Sequence, residues 1–158
     1  MIKSLTELSR QIVKHNRNHN ILYSIIDNYS GGDWKDYIKQ KENRINYDVY
    51  RYSKIKLPYD CGFYNMYLLE WRYGARTPVH SHPGSCLYTI LYGTLKESVY
   101  TEDQKTFLYQ TKMLNGNTKY IDDSIGLHKM TNITKLEDLS DGKAYSLHFY
   151  PDFKQLKY

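Results

Sequence analysis

The spacing of apolar residues divides the chain into an N-terminal part with helical periodicity and a longer part with strand periodicity. The apolar residues at helical spacing are Leu5, Leu8 and Ile12 in a first segment and Ile21, Ile25, Ile26 and Tyr29 in a second. Ser4 and Glu7 form a capping-box pattern at the start of the first helix. Asp33 precedes a third apolar set, where its side chain can cap a short helix. The pattern predicts a small helical part over residues 1–45.

From residue 46 onward the chain consists of short runs rich in tyrosine, valine, isoleucine and threonine. The candidate strands are 47–52, 62–71, 74–93, 95–100, 105–114, 119–121, 128–134 and 144–150. Glycine, asparagine and aspartate separate these runs, which is typical of a β-sandwich or a β-barrel. We therefore expect a single, mainly β domain over residues 1–158, with a barrel in 46–158 and the helices of 1–45 as a cap.

Composition narrows the classes of protein that the chain can belong to. Its 158 residues suffice for one hydrophobic core, and the formal net charge is +5. Lysine and arginine are scattered and interrupted by acidic residues, so we expect no nucleic-acid partner. There is no run of 18 apolar residues and no apolar leader, and two cysteines are too few for a disulfide framework. These features favour a cytoplasmic protein without a membrane partner, and a monomer is the simplest expectation for its assembly.

His80 and His82 mark the stretch in which we expect the chemistry. They are two residues apart, so in an extended strand both imidazoles project from the same face. Imidazole pairs suit zinc, copper, iron or nickel. A mononuclear site needs a third protein ligand, and the sequence offers His128 and His148 for that place. The pattern therefore indicates a metal site that keeps positions open for a substrate.

Two sets of spacings around these histidines resemble the two sequence motifs of the cupin superfamily. The first set is Gly74, five residues, His80-Ser81-His82, three residues, Cys86, six residues and Gly93; the second is Ser124, one residue, Gly126, one residue, His128, three residues and Asn132. Cys86 stands where the first motif has glutamate, and Ser124 stands where the second has proline. The resemblance implies a cupin-type jelly-roll β-barrel.

Cysteine in the glutamate position resembles one branch of that superfamily, the cysteine dioxygenase (type I) family. Three further segments are similar to this family: 91–97 (L-Y-G-T-L-K-E), 120–128 (Y-I-D-D-S-I-G-L-H) and 146–150 (S-L-H-F-Y). The resemblance covers roughly residues 50–153. It implies an enzyme that uses Fe(II), a small thiol and O2.

The resemblance also implies roles for individual residues. The ligands of the ferrous iron would be His80, His82 and His128. Cys86 and Tyr150 match the pair that forms a thioether crosslink beside the iron in the family. Ser146 and His148 match the residues that hold the tyrosine hydroxyl near iron and substrate.

The residue that binds the substrate carboxylate departs from the family. A match without gaps puts Lys54 where the family has an arginine, and it puts Tyr52 in the place of a substrate-contacting tyrosine. A slip of three residues in the loop around Pro58 would give the arginine's role to Arg51 instead. Arginine presents a planar bidentate fork and lysine a point charge, so we expect Lys54 to bind a carboxylate less specifically.

The expected reaction is the conversion of L-cysteine and O2 to cysteine sulfinic acid. The lysine leaves open a dioxygenase for another thiol: 3-mercaptopropionate, cysteamine or an N-terminal cysteine of a peptide. A cupin that binds metal without turnover is the alternative outside the enzymes. The Cys86 and Tyr150 pair favours the first of these functions.

Overall fold

Three helices precede eight strands in the computed structural model, which describes residues 1–15, 18–41, 52–82, 84–122, 124–135 and 141–152. The helices are α1 (Leu5–His15), α2 (His19–Asp27) and α3 (Trp34–Lys41). The strands are β1 (Tyr52–Lys56), β2 (Tyr64–Trp71), β3 (Cys86–Tyr92), β4 (Thr94–Tyr100), β5 (Phe107–Leu114), β6 (Thr118–Ile121), β7 (Leu127–Asn132) and β8 (Ala144–Pro151). The prediction of a mainly β fold with small N-terminal helices is confirmed, whereas the predicted boundary at residue 46 lies outside the described residues.

Helix α1 begins with two side-chain caps. The Ser4 hydroxyl accepts a hydrogen bond from the Glu7 N–H at 3.1 Å, as the capping-box pattern predicts. Asp33, predicted to cap the third helix, accepts instead from the Leu5 N–H at 2.8 Å and so stabilises the first turn of α1. The contact joins residues 28 positions apart, which local sequence does not reveal. Within the described ranges, no helix is long and apolar enough to cross a membrane.

The strands form two antiparallel sheets with a hydrophobic core on each side of the larger one. The larger sheet has the order β1-β2-β8-β3-β6 and the smaller sheet has the order β5-β4-β7. Because side chains alternate along a strand, Leu147 and Phe149 face the helices, while Trp71 and Tyr88 face the smaller sheet. Strands β2 and β8 are therefore buried on both faces, which explains their nearly continuous apolar runs.

The predicted strand 74–93 is wrong over its first half. Residues before Cys86 run beside β7 and pair with it only at isolated bridges, Arg76 with Thr131 and His80 with His128. Pro78 lies between the two bridges and has no N–H to donate to a ladder, which gives a physical reason for the interruption. The regular strand starts at Cys86.

Two glycines of the motif spacings are explained by their surroundings. Gly126 has a φ of +129°, and a β-carbon there would lie 2.5 Å from the carbonyl oxygen of Tyr100. Gly93 has a φ of +78° in the turn between β3 and β4, and a β-carbon there would lie 2.8 Å from that of Ala144. Both positions require glycine to bring the site strands together.

Candidate metal centre and adjoining pocket

Three histidine rings from two separate parts of the chain meet inside the barrel. His80 lies directly opposite His128 of β7, and the two residues exchange backbone hydrogen bonds of 2.9 and 3.0 Å. His82 follows two residues later and is buried. The ring nitrogens lie within 4.8 Å of one another, with the His128 Nε2 at 2.6 Å from the His82 Nε2 and at 3.2 Å from the His80 Nε2. The three side chains therefore converge on one point.

In two of the rings, a hydrogen bond at Nδ1 determines that Nε2 is the nitrogen whose lone pair faces the point of convergence. The His80 Nδ1 lies 2.9 Å from the Pro78 carbonyl oxygen, and the His128 Nδ1 lies 2.8 Å from the Glu97 Oε1. Both partners are acceptors, so each Nδ1 carries the proton and each Nε2 presents a lone pair. Lone pairs that face each other at 3.2 Å repel unless a cation lies between them. This donor set fits a divalent transition metal.

The electrostatic surroundings keep the rings in the form that binds metal. Burial and the neighbouring His128 lower the pKa of His80, and they lower the pKa of His82 to about 3. Neutral imidazole is the metal-binding form. His148, the alternative third ligand, instead has its Nε2 at 2.8 Å from the Ser146 Oγ. Among the described residues, the cluster able to hold a metal is thus the one with His128.

Glu97 is a fully buried carboxylate that holds His128 in place. Its Oε1 accepts from the His128 Nδ1 at 2.8 Å and from the Tyr88 hydroxyl at 2.7 Å, while its Oε2 pairs with the Lys119 ammonium. Burial alone would raise the pKa of Glu97, but hydrogen bonds from His128, Lys119 and Tyr88 outweigh it and lower the pKa to about 2. A carboxylate in this place fixes the ring orientation and raises the basicity of the ligand.

A chain of hydrogen bonds leads from the barrel core to Tyr150. The Trp71 indole N–H donates to the Ser146 Oγ at 2.9 Å, and that oxygen lies 2.8 Å from the His148 Nε2. An indole can only donate, so the serine proton is left for the His148 Nε2, and the His148 Nδ1–H faces the Tyr150 hydroxyl at 3.2 Å. The Tyr88 ring stacks on His148 at a centroid distance of 5.0 Å. These hydrogen bonds fix the position of the His148 ring and place its proton on Nδ1.

Cys86 and Tyr150, the predicted crosslink pair, lie next to each other. The two side chains share a hydrogen bond, and the Cys86 Sγ lies 3.8 Å from the His148 Nδ1. Burial raises the pKa of the Cys86 thiol and of the Tyr150 phenol, so both groups are neutral near pH 7. The Tyr150 ring also stacks on His82 with centroids 5.5 Å apart. The pair therefore borders the histidine cluster.

A pocket of about 260 Å³ adjoins the three histidines. Its lining includes Tyr52, Lys54, Leu69, Thr77, Met130 and Tyr150. The volume lies below the roughly 300–1,000 Å³ of pockets that take drug-sized ligands, so the pocket suits a small molecule.

Lys54 is the one cation among the described residues that line the pocket. Its Nζ lies 4.0 Å from the ring centroid of Tyr150 and 4.3 Å from that of Tyr67. Burial around the ammonium lowers the pKa of Lys54, although part of the side chain is exposed. Tyr52 lines the same pocket. Arg51, the alternative to Lys54, lies outside the described residues.

Four residues of the site had no role in the sequence analysis: Trp71, Glu97, Tyr88 and Tyr67. Glu97 ends the segment 91–97, and a carboxylate between Leu95 and Val99 on the apolar face of an alternating strand is the signal that could have found it. The three aromatic residues read as ordinary strand core. Their roles depend on strand register, which the sequence does not give.

Comparisons with known proteins agree with the site. The model of the family described as Cysteine dioxygenase type I matches residues 2–158. Cysteine dioxygenase type 1 of Homo sapiens is 32% identical over 124 residues, which are 75% of this chain and 56% of that protein. The Danio rerio protein of the same name is 29% identical over 133 residues, 79% of this chain and 60% of that protein. The matched region thus spans somewhat more than half the length of these relatives.

Solved structures with low identity show similarity of fold alone. The complex of Rhodobacter sphaeroides SigE with the anti-sigma ChrR has a TM-score of 0.52 and 18% identity, covering 77% of this chain and 56% of that one. The cupin domain of Schizosaccharomyces pombe Cnp3 has a TM-score of 0.49 and 14% identity, covering 73% of this chain and 75% of that one. The likeness to the first of these two structures agrees with the two-sheet barrel described above.

Proposed function

We propose that this chain, which belongs to the cysteine dioxygenase type I family, is an iron-dependent enzyme that converts L-cysteine and O2 to cysteine sulfinic acid. The observation that carries the proposal is a cluster of three histidines bordered by the Cys86 and Tyr150 pair, with the Lys54 ammonium over the Tyr150 ring at 4.0 Å. The reaction balances without a further reductant. The thiol sulfur gives up four electrons, the O2 molecule takes four, and both oxygen atoms end on sulfur.

The three histidines would hold a metal without adding negative charge to it. His80, His82 and His128 would hold ferrous iron, which supplies the redox chemistry that activates O2 and the positive charge that favours the thiolate form of the substrate. All three ligands are neutral, so the protein ligands leave the metal charge uncompensated, unlike the two-histidine, one-carboxylate arrangement. An anionic thiolate is the complement that such a site prefers.

In the same pocket, Lys54 would orient the substrate through its carboxylate. The ammonium is a single point charge with rotatable donors, so it attracts a carboxylate without fixing its plane. Tyr52 lines the same pocket and would contact the bound thiol. We propose Lys54, rather than Arg51, for this role because Lys54 lines the pocket.

Tyr150 would direct a proton toward the reacting sulfur and oxygen atoms. Its raised pKa keeps the phenol protonated, and the His148 Nδ1–H donates to its oxygen, so the phenol proton is directed away from His148. Ser146 supports His148 in the tautomer that this arrangement needs. A thioether bond between the Cys86 Sγ and a ring carbon of Tyr150 would hold the phenol in this place. We propose that it forms with loss of the thiol hydrogen and of one ring hydrogen, and that their two electrons and two protons pass to O2.

A second thiol, 3-mercaptopropionate, is favoured by a specific observation. Lysine in the arginine position makes no bidentate contact, so the site does not demand the full geometry of an amino acid. The pocket volume of about 260 Å³ speaks for free small thiols over an N-terminal cysteine of a peptide. Cysteamine lacks the carboxylate that Lys54 would bind. A metal-binding cupin without turnover would leave the polar chain from Trp71 to Tyr150 without use.

The location and the assembly are proposed on simpler grounds. Cys61 and Cys86 are buried free thiols, as expected in a reducing compartment, and we propose the cytoplasm. We propose a monomer as the working unit, because the three histidines, Lys54 and Tyr150 come from the same chain.

The test is O2 consumption by protein loaded anaerobically with ferrous iron. Cysteine, 3-mercaptopropionate, cysteamine and a peptide that begins with cysteine are assayed in parallel, with sulfinate quantified against O2. We expect uptake with cysteine and one sulfinate per O2. His80→Ala and His128→Ala should abolish the uptake, whereas His15→Ala on α1 should not. Full activity in either of the first two variants, or no uptake with any thiol, would contradict the proposal.

A further inference from the structure

The ammonium of Lys54 is held by two aromatic rings. Its Nζ lies 4.3 Å from the Tyr67 centroid and 4.0 Å from the Tyr150 centroid. The two rings meet each other edge to face, with centroids 5.6 Å apart and planes at 70°. The Lys54 ammonium thus lies over the faces of two aromatic rings, each of which attracts a positive charge through its quadrupole.

Strand register brings Tyr67 to Lys54. Lys54 of β1 pairs with Leu69 of β2, and Tyr67 lies two residues further along the same face of β2. Diagonal neighbours of this kind are within reach of long and aromatic side chains. Tyr67 is half-buried, and the Lys54 ammonium, which lines the pocket, lies over its ring.

A lysine needs such support if it is to select a substrate. Its four-carbon stem has many rotamers, whereas the guanidinium of an arginine presents a preorganised fork. A ring on each side restricts where the ammonium can rest, and so restricts where a carboxylate can bind. Tyr150 is already required next to the histidines, so Tyr67 is the ring whose purpose is unassigned.

We propose that Tyr67 is a positioning residue for substrate choice, which fixes the Lys54 ammonium beside Tyr150 so that the pocket selects thiols carrying a carboxylate. The inference rests on the proposed function for the identity of the thiols. A merely space-filling Tyr67 would affect all thiols alike. A positioning role affects those with a carboxylate and spares those without one.

Two variants separate ring from volume. Tyr67→Phe keeps the aromatic face and loses only the hydroxyl, while Tyr67→Leu keeps an apolar side chain and loses the ring. Tyr73→Leu is the matched control, since Tyr73 is exposed and does not line the pocket. Thermal unfolding of all variants establishes that they are folded.

The readout is anaerobic binding to the metal-loaded protein, so that it does not depend on turnover. Titration calorimetry compares 3-mercaptopropionate with 3-mercaptopropan-1-ol, which differ only in the carboxylate. For Tyr67→Leu we expect the affinity for the acid to fall about five- to tenfold, with the alcohol within about twofold, because a partly desolvated cation–π contact has this strength. Tyr67→Phe should bind both thiols like the unaltered protein.

A second measurement reports the position of Lys54 itself. In protein loaded with diamagnetic zinc, the ε-methylene protons of Lys54 should show ring-current shifts that Tyr67→Leu diminishes and Tyr67→Phe retains. The inference would be overturned by an equal loss of affinity for both thiols in Tyr67→Leu, or by no loss of affinity for either. It would also be overturned if the unaltered protein did not prefer 3-mercaptopropionate. Absence of O2 uptake would instead overturn the proposed reaction and leave this result standing.

Discussion

The pocket has two walls that are held in different ways. The histidine wall consists of His80, His82 and His128, and hydrogen bonds to the Pro78 carbonyl and the Glu97 carboxylate fix two of its rings. The lysine wall consists of Lys54 and Tyr67, where the contacts to the cation are ring faces at 4.0 and 4.3 Å. Hydrogen bonds depend steeply on direction, and ring contacts depend on it much less.

The difference separates the reaction from the choice of substrate. In the histidine wall, the Glu97 carboxylate holds His128, and two backbone hydrogen bonds join His80 to His128. Several contacts at once therefore oppose a small displacement of these histidines. In the lysine wall, Lys54 lies on β1 at the edge of the larger sheet, where β2 is the one neighbouring strand in the described part of the chain. A site built in this way keeps its metal geometry while the substrate end varies.

The largest expected effect comes from breaking the support of the histidine wall. Glu97→Gln keeps the shape and an acceptor for His128 but removes the charge that raises the basicity of this ligand. We expect metal affinity to fall by about 10- to 100-fold, as for other residues behind metal-bound histidines. Competition with a chromophoric chelator measures it.

Glu102→Gln is the control for this change, because Glu102 is exposed and lies outside the metal cluster. Unchanged metal affinity in folded Glu97→Gln would mean that His128 does not depend on the carboxylate. The histidine wall would then be no better supported than the lysine wall.

The next effect concerns the lysine wall. Lys54→Met removes the cation and keeps a long side chain, so thiols that carry a carboxylate lose a charge-assisted partner, worth about 1.5–3 kcal/mol. We expect kcat/KM for cysteine to fall about 10-fold or more, mainly through KM, with little change for cysteamine and in metal affinity. Lys54→Arg should retain the preference for cysteine over cysteamine.

Lys56→Met serves as the control on the same strand, since Lys56 is exposed and does not line the pocket. If cysteine and cysteamine lose activity equally in Lys54→Met, Lys54 contributes to general packing and the carboxylate binds elsewhere. The activity of Lys54→Arg would then give no information about how the carboxylate is bound.

How much of the two walls the sequence predicts also differs. The histidines are found because His80 and His82 are neighbours along the chain and His128 lies in a motif of its own. Ser146, His148 and Tyr150 are found for the same reason, since alternation along one strand puts them on one face. Local spacing carries this information.

Contacts across strands carry the rest, and spacing does not give them. Trp71 and Ser146 are 75 residues apart, and Glu97 and His128 are 31 residues apart. Tyr67 reaches Lys54 only through the pairing of β1 with β2. A shift of that register by one residue would turn Tyr67 to the other face of the sheet. These partners therefore require the structure.

A smaller effect is expected along the chain of hydrogen bonds that ends at Tyr150. Ser146→Ala leaves the buried Trp71 N–H without its acceptor and frees the His148 Nε2, which lowers the free energy of unfolding by about 1–3 kcal/mol. Because Tyr150 is then held less well, we expect kcat to fall about fivefold with KM nearly unchanged. Urea unfolding and steady-state kinetics measure the two effects, with Ser30→Ala as an exposed control. A loss confined to KM would place Ser146 on the substrate side.

The smallest effect has the opposite sign to that of Glu97→Gln. Lys119 pairs with Glu97 and is partly exposed, with 23% of its side-chain surface accessible, so water can replace it. Lys119→Met removes a group that shares the negative charge of Glu97 with His128, and we expect metal affinity to rise about two- to threefold, a modest effect because solvent screens the partly exposed Lys119. Lys129→Met, on β7 next to His128 in sequence, controls for the loss of one positive charge near the site. A fall in affinity in Lys119→Met alone would mean that Lys119 supports the orientation of the carboxylate, and the histidine wall would then extend to the partly exposed rim of β6.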